Sequence, residues 1–159
     1  MRKRTEFLDG TWIERTEVVR VREIMSRPVI TARAHDPLSR AEELMRTHGL
    51  RHVPVVDARN TIIGVVSRGD LLSAGPSSVA ELTGQERASF NASVQLFEVM
   101  CRSPRTVSEL AEADDAASLM LDHHLGCLPV TDESGKVIGI LTESDFVRVA
   151  RDLLRTKSA

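Results

Sequence analysis

The sequence predicts a mixed α/β (α+β) fold in which one strand–helix–strand–strand–helix unit occurs twice. The first observation is a repeated stretch, Gly64-Val65-Val66-Ser67-Arg68-Gly69-Asp70 and Gly139-Ile140-Leu141-Thr142-Glu143-Ser144-Asp145. The second is a shared register, because residues 21–72 and 96–147 are identical at 15 of 52 ungapped positions. The third is size, since a unit of about 52 residues is marginal for a core of its own. We therefore expect a duplicated unit whose two copies pack as one compact body.

The repeat divides the chain into four segments. Residues 1–20 mix charged with isolated apolar residues, so this extension either docks through Trp12 or is a loosely ordered terminus. A turn with Gly75-Pro76 begins the insert between the repeats, and helical spacing follows over 79–94, weakened by Gly84. The predicted segments are the N-terminal extension at 1–20, the first motif at 21–73, a linker and helix at 74–93, and the second motif with a C-terminal helix at 94–159.

Within the first unit, apolar periodicity and turn residues predict each element. Asp36 is expected to cap the main helix, with Pro37 as its first residue and Gly49 as its C-terminal stop. Ser67 is expected to begin the last helix. In chain order, the predicted elements are a helix (21–25), a strand (29–32), a helix (37–48), two strands (53–56 and 62–66) joined by a hairpin connection at 57–60, and a helix through Leu72.

The second unit is predicted to repeat this order. Gly135 favours a tight hairpin turn over 133–135, and Thr142 is expected to begin the final helix, which runs through Leu154. In chain order, the predicted elements are a strand (106–107), a helix (113–123), two strands (128–130 and 136–141) and the final helix.

Composition excludes several classes of protein. The 159 residues are 42% apolar and 28% charged with a net charge of −2, so no overall field attracts nucleic acid or an anionic membrane. Aromatic residues make up 3%, too few for a platform that stacks single-stranded bases. No stretch approaches the roughly 20 apolar residues of a membrane helix, and no apolar region follows the basic residues 2–4. Cys101 and Cys127 are too few for a disulfide framework, so we expect a reducing, cytoplasmic location.

The repeated stretch ends in a hydroxyl and an acid three residues apart, Ser67 with Asp70 and Thr142 with Asp145. This is the spacing of a capping box, in which the hydroxyl accepts a hydrogen bond from the backbone and the acid reciprocates. A helix N-terminus at the end of a strand is also a natural phosphate site. Capping alone does not explain Asp in both copies, because Glu or Gln is the usual partner. Both interpretations stay open.

Metal binding and catalysis are not expected. His48 and His52 lie four residues apart, but Gly49 should end the helix between them and destroy the geometry of a zinc site. His123, His124 and Cys127 form a second cluster, but His48 and His123 occupy equivalent helix ends, where a cation suits the helix dipole without any metal. No nucleophile, base and orienting group occur together, so we do not expect an enzyme.

The tandem units resemble the cystathionine-β-synthase (CBS) domain pair, or Bateman module, over about residues 21–150. The matching pieces are Glu23-Ile24-Met25 with Thr31, His52-Val53-Pro54-Val55 and Gly64 to Asp70, and in the second unit Glu98-Val99-Met100 with Thr106, Leu128-Pro129-Val130 and Gly139 to Asp145. The resemblance implies a stand-alone pair of three-stranded sheets related by a pseudo-twofold axis, with two clefts between the halves.

In this family many such clefts bind an adenine nucleotide or S-adenosylmethionine. The resemblance therefore implies AMP, ADP, ATP or S-adenosylmethionine as ligand, with no required cofactor and no metal. The acid of each motif would hold the ribose hydroxyls, the hydroxyl residue would contact ribose or phosphate, and the Val-Pro or Leu-Pro step would frame the base unless its proline only marks a strand start. The candidate residues are Thr31, Arg51, His52, Val53, Pro54, Ser67, Arg68 and Asp70 at the first site, and Thr106, Cys127, Leu128, Pro129, Thr142 and Asp145 at the second.

Equivalent positions of the two units differ in charge. Arg51 corresponds to Gly126, His52 to Cys127 and Arg68 to Glu143, so the first site is the more basic one, although Arg105 partly offsets this. Because Arg can fork onto phosphate oxygens, we expect a phosphorylated ligand to prefer the first site. The alternative is that these side chains point to solvent and merely vary.

The function predicted from these observations is a regulatory module that senses an adenosyl ligand and signals allosterically to an unidentified effector protein. The alternative is a constitutive interaction or scaffold dimer with vestigial clefts. In either case we expect a homodimer. Its apolar face would come from the helices that begin at Ser67 and Thr142, unless the relevant residues, Leu71, Leu72, Phe146 and Val149, face their own core.

Overall fold

The computed structural model describes the backbone of residues 3–8 and 11–16, together with residues 18–74 and 83–156. Its helices are α1 (Val21–Ile24), α2 (Leu38–His48), α3 (Arg68–Ser73), α4 (Gly84–Ser93), α5 (Leu96–Val99), α6 (Ala113–Asp122) and α7 (Glu143–Thr156). Its strands are β1 (Lys3–Leu8), β2 (Thr11–Thr16), β3 (Ala32–Arg33), β4 (His52–Val56), β5 (Ile62–Ser67), β6 (Cys101–Arg102), β7 (Val107–Ser108), β8 (Cys127–Thr131) and β9 (Val137–Thr142).

Two sheets that share the same arrangement of three strands confirm the duplicated α/β unit. The first has the order β3-β4-β5-β6 and the second β7-β8-β9. In both, a short parallel pair precedes an antiparallel hairpin. The registers correspond as well, because His52 pairs with Ser67 and Cys127 with Thr142. The second strand of each hairpin, β5 or β9, therefore ends in a hydroxyl residue, Ser67 or Thr142, directly before a helix begins.

The two units exchange their first segments. Strand β6, which belongs to the second unit in sequence, is the fourth strand of the first sheet. Ser26, at the position equivalent to Cys101, forms the reciprocal bridge to Ile140 of β9, with N···O distances of 2.9 and 3.1 Å. The cores follow the same exchange, since Leu96 is buried in the first and Val21 in the second. Each half thus completes the other.

Alternating strand residues and the inner faces of α2 and α6 supply two apolar cores. The first contains Ala32, Leu38, Ala41, Leu44, Met45, Val53, Val55, Val66 and Leu96. The second contains Val21, Met25, Val107, Ala116, Met120, Leu128, Val130 and Leu141. These cores fix the strand ends that carry the candidate site residues.

The hairpin connections are confirmed, and in both an aspartate carboxylate accepts hydrogen bonds from the backbone of the turn. The carboxylate of Asp57 accepts hydrogen bonds from the backbone of Arg59 and Thr61, at 2.9 and 2.8 Å. Asp132 does the same for Ser134 and Lys136, at 2.8 and 3.0 Å. Hydrogen bonds from the turn lower the pKa of both carboxyl groups. The chain then reverses through a left-handed residue, Asn60 in one hairpin and Gly135 in the other.

Two details of the main helix of the first unit differ from the sequence prediction. Helix α2 begins at Leu38 with Pro37 as its N-cap, so the expected cap at Asp36 is wrong. The Asp36 carboxylate instead accepts from the backbone N–H of Arg33 at 2.7 Å, closing the turn after β3. The chain before α5 pairs with this turn, because Leu96 N–H donates to Asp36 O. The predicted end at Gly49 is confirmed, in the left-handed conformation with φ +66°.

Other differences concern short segments. The first strand of each unit was expected at 29–32 and 106–107, whereas the observed strands are β3 and β7, shifted towards the C-terminus. The hairpin of β1 and β2 was not predicted, although the sequence places Asp9-Gly10, a frequent hairpin dipeptide, between its strands. The Trp12 side chain and the linker at 75–82 lie outside the described residues. Helix α4 begins at Gly84 after an N-cap at Thr83, later than predicted.

Candidate ligand site

The first glycine of each repeated stretch has a packing role. A Cβ at Gly139 would stand 2.6 Å from Met25 Sδ, and a Cβ at Gly64 would collide with the side chain of Met100. Each methionine belongs to the exchanged segment of the other unit. The two glycines are therefore required by the close approach of the halves, and they need no ligand to explain them.

Ser67 and Asp70 form a complete capping box at the start of α3. The backbone N–H and the hydroxyl of Ser67 both donate to Asp70 Oδ2 at 2.7 Å, and Asp70 N–H donates to Ser67 Oγ at 3.1 Å. The capping interpretation is thus confirmed here. A carboxylate offers about four acceptor positions. Within the described residues only Ser67 donates to the carboxylate of Asp70, always to Oδ2, so Oδ1 keeps its capacity to accept.

Asp145, at the equivalent position of the second unit, is saturated. Its Oδ2 accepts from the N–H and the hydroxyl of Thr142, each at 2.7 Å. Its Oδ1 accepts from Ser26 Oγ at 2.8 Å and from the Arg148 guanidinium. The Asp145 side chain is 0% exposed. Four donors therefore fill the four acceptor positions of a buried carboxylate.

His52 and Cys127, the paired positions at the starts of β4 and β8, lie where the two units meet. Burial lowers the pKa of His52, while the charges of Glu143 and Asp70 act in the opposite direction. Glu143 belongs to the second unit, yet its charge acts on His52 of the first unit. Burial also raises the pKa of Cys127 to about 12, with a smaller effect from Cys101. Both groups are therefore uncharged at neutral pH.

Arg51 and Arg68 are exposed neighbours, because Arg68 N–H donates to Arg51 O at 2.8 Å. Together with Arg46 and Arg87 they line a cavity of about 620 Å³ between α2, α3 and α4. Of the residues predicted for the first site, these two arginines alone belong to its lining. The basic character expected of the first unit is present, and it extends onto the helical face.

The remaining predicted residues occupy equivalent places in the two units. Thr31 and Thr106 are half-buried directly before β3 and β7. Pro54 and Pro129 are buried inside β4 and β8, with Val53 and Leu128 beside them. Strand β3 begins to pair with β4 only at Val55, one residue after Pro54, so the missing proline N–H coincides with the start of that pairing. One side of β4 is thus unpaired at Pro54, and such an edge position tolerates a proline within a sheet.

Sequence reasoning missed Ser26 and Arg148. Both lie outside the matched motif, and Ser26 reaches Asp145 only because the units exchange their first segments. A signal was nevertheless present, because Ser26 corresponds to Cys101 and Arg148 to Ser73 in the repeat. Among the residues that the structure describes, no three His, Cys, Asp or Glu side chains gather as a metal site requires.

The chain belongs to the CBS domain family, whose model matches residues 21–77 and 96–152. A candidate acetoin utilization protein (AcuB) of Vibrio cholerae has a similar solved structure. The TM-score is 0.73 at 35% identity, covering 89% of this chain and 96% of that one. Arabidopsis thaliana CBSX2, crystallised in complex with AMP, gives a TM-score of 0.69 at 31% identity, covering 84% of this chain and 97% of that one.

The CBS domain pair of protein MJ0100 was solved with 5′-methylthioadenosine and S-adenosyl-L-methionine. It gives a TM-score of 0.68 at 25% identity and covers 82% of this chain and 98% of that one. Curated relatives include two longer enzymes, L-aspartate semialdehyde sulfurtransferase of Methanocaldococcus jannaschii and inosine-5′-monophosphate dehydrogenase of Korarchaeum cryptofilum, at 25% and 30% identity. This chain matches 24% of the length of each, and the CBS pair is the part they share with it. No described helix is long and apolar enough to cross a membrane.

Proposed function

We propose that this chain is a regulatory ligand-sensing module that binds an adenine nucleotide or S-adenosylmethionine at the first motif. The observation that carries the proposal is the Asp70 carboxylate. It is held at a helix N-terminus by Ser67, and its Oδ1 accepts no hydrogen bond from the described residues. Two open acceptor positions match the 2′- and 3′-hydroxyl groups of a ribose. The AMP complex of CBSX2 supports an adenosyl ligand.

The other residues of the first motif would complete the site. Ser67 contacts ribose or phosphate with its hydroxyl, and Thr31 with the segment His52–Pro54 frames the base. Arg51 and Arg68 attract phosphate, because an arginine fork matches phosphate oxygens. The corresponding set in the second unit, Thr106, Cys127, Leu128, Pro129, Thr142 and Asp145, lacks these cations. The second site should therefore be empty, weaker, or filled by a less charged adenosyl compound.

A ligand at this place would act on both units at once. His52 belongs to the first unit, yet Glu143 of the second shifts its pKa, so the charge of a bound phosphate would reach across the boundary. Because Ser26 and β6 pair with the opposite sheets, tilting one unit disturbs the other. Ligand contacts that favour one tilt would thus select between two states, as allosteric signalling to an effector protein requires.

A homodimer, and with it the alternative of a constitutive scaffold dimer, is favoured by exposed apolar residues on the second unit. Leu121 of α6 is 75% exposed and Val147 of α7 is 67% exposed. Of the four residues first suggested for a dimer face, Leu72 is 77% exposed and Val149 is half-buried. Leu71 and Phe146 instead pack against their own cores. The dimer face we propose therefore uses α6 and α7.

A thermal-shift panel tests the ligand proposal. AMP, ADP, ATP, NAD and S-adenosylmethionine would each be added to the intact chain and to the Asp70→Asn variant. A compound at 100 times its dissociation constant should stabilise the native chain by about 2.7 kcal/mol. We expect stabilisation by at least one compound and its loss in the variant. No stabilisation by any of the five would favour the scaffold dimer.

A further inference from the structure

Ser26, Asp145 and Arg148 form a closed hydrogen-bonded triad, which we call the latch. Both Ser26 Oγ and the Arg148 guanidinium donate to Asp145 Oδ1, and Arg148 Nη2 also donates to Ser26 Oγ at 3.1 Å. Ser26 is held in place by its two backbone hydrogen bonds to Ile140 of β9. The latch therefore joins the first segment of the first unit, which contains Ser26, to helix α7 of the second unit.

The first unit has no such triad, although the repeat provides all three equivalent positions. They are Cys101, Asp70 and Ser73. The Cys101 thiol, a weak donor, points to Arg102 O at 4.0 Å. Within the described part of the chain, neither Cys101 nor Ser73 donates to Asp70. The two motif acids are thus the same residue type with different hydrogen bonding. Oδ1 of Asp70 has two open acceptor positions among the described residues, whereas the equivalent positions of Asp145 are filled by Ser26 and Arg148.

We infer that the latch decides which of the two clefts takes an adenosyl ligand, so that the chain binds one ligand, held by Asp70. This inference rests on the proposed function. A ribose at Asp145 would have to displace both Ser26 and Arg148, whereas a ribose at Asp70 Oδ1 displaces no hydrogen bond made by the part of the chain that the structure describes. Hydrogen bonds to an ionised carboxylate are among the stronger ones in proteins, so the exchange gains little. We expect affinity at the second cleft to be at least tenfold weaker.

The repeat itself supplies the matched variants. Ser26→Cys with Arg148→Ser gives the second cleft the residues of the first and should open it. Cys101→Ser with Ser73→Arg gives the first cleft the residues of the second and should close it. The single Arg148→Ser variant can be measured even if the double variant does not fold. The Arg148 side chain is 52% exposed, so its removal leaves the cores intact.

Isothermal titration calorimetry with AMP, and in parallel with S-adenosylmethionine, reads the stoichiometry directly. We expect one equivalent per native chain and two equivalents for the opened double variant. In Arg148→Ser, where Ser26 still fills one acceptor position of Asp145, the second equivalent should bind more weakly than in the double variant. The reverse swap should weaken binding at least tenfold. Retained binding at the first cleft shows that the opened variants are folded. For the reverse swap, a circular dichroism spectrum and a cooperative unfolding transition like those of the native chain show it.

Two outcomes would overturn the inferred role of the latch while leaving the proposed function intact. They are two equivalents of similar affinity on the native chain, and a single equivalent that persists in every folded variant. Absence of binding of both compounds to the native chain and to the opened variants would overturn the proposed function itself, and the latch inference with it.

Discussion

His52 of the first unit lies directly against Gly126 of the second. A Cβ at Gly126 would stand 2.9 Å from both Cε1 and Nε2 of the imidazole. The position equivalent to Gly126 in the first unit is Arg51, so the two units are not interchangeable here. The absence of a side chain at Gly126 lets the imidazole pack between the halves, and this burial lowers the pKa of His52 below its usual value of 6.5.

The stability of the protein should therefore depend on pH through His52. The unfolded chain binds a proton at His52 more readily than the folded chain, so the contribution is fully present above pH 6.5 and is lost as the pH falls through the folded pKa. Urea unfolding between pH 5 and 8 should show a steeper loss towards acid in the native chain than in His52→Gln, by at most about 1.4 kcal/mol per pH unit. Parallel curves would exclude this role.

Replacing the two motif acids should affect different properties, ligand affinity for Asp70 and folding stability for Asp145. We expect Asp70→Asn to weaken ligand binding by roughly 1–3 kcal/mol, because a charged acceptor is lost, and to change folding by only a few tenths. Asp145→Asn should reduce the free energy of unfolding by about 1–3 kcal/mol, because a buried acceptor of four donors is altered. Chemical unfolding and calorimetry on both variants measure this. Equal losses of stability with unchanged affinity would mean that both acids only cap helices.

The two cysteines should differ in reactivity. At pH 8 a thiol with a pKa of about 12 is ionised in roughly one molecule in ten thousand, and the thiolate is the reactive form. Cys101 is exposed, whereas Cys127 is half-buried. Limited treatment with iodoacetamide followed by mass spectrometry should find one adduct, at Cys101, and none in Cys101→Ser. Comparable modification of Cys127 in the folded chain would contradict the description of its surroundings.

The charge difference between the units predicts a reciprocal pair of effects. Arg68→Glu should weaken AMP binding more than S-adenosylmethionine binding, because only AMP carries a phosphate for the guanidinium to contact. Glu143→Arg should strengthen AMP binding, since it removes a negative charge near His52 and adds a positive one. Calorimetry with both compounds checks each direction. If neither substitution changes the affinity for AMP, the alternative holds, namely that these side chains point to solvent and have no role in binding.

The proposed dimer face can be tested by single charges. Val147→Glu or Leu121→Glu would place a carboxylate on an apolar contact, and we expect the sedimentation coefficient to fall to that of a monomer at tens of micromolar concentration, as an order of magnitude. Ser144→Glu adds the same charge at an exposed polar residue of α7 and should leave the assembly unchanged. A native chain that already sediments as a monomer would refute the dimer.

The duplicated fold could be read from the sequence because its signals are local and occur twice. Continuous apolar runs of strand length predict β4, β5, β8 and β9, and Gly49 ends α2 as its glycine stop. The cap at Asp36 was misplaced because a distant segment, the chain before α5, pairs with that turn. Local pattern cannot report a partner sixty residues away. The same limit explains why β6 was missed.

The residue types of the candidate site could be predicted from the sequence, but the hydrogen bonds that occupy the two motif acids could not. The repeated hydroxyl and acid indicated both a cap and a ribose contact, and the structure shows the cap at Ser67. Identical motif acids concealed a difference that depends on Ser26, 119 residues from Asp145. That contact follows from how the two units exchange their first segments, which no spacing within one motif encodes.

The exchange of first segments makes the pair a natural candidate for fragment complementation. If the chain were expressed as two pieces, divided between Ala74 and Thr83, the first piece would still carry Val21 for the second core, and the second piece would carry Leu96 for the first. Each piece alone would lack a buried part of its own core, and the other piece holds that part. We therefore expect the two separate polypeptides to associate, and their reconstitution with and without ligand would report whether a ligand draws the halves together.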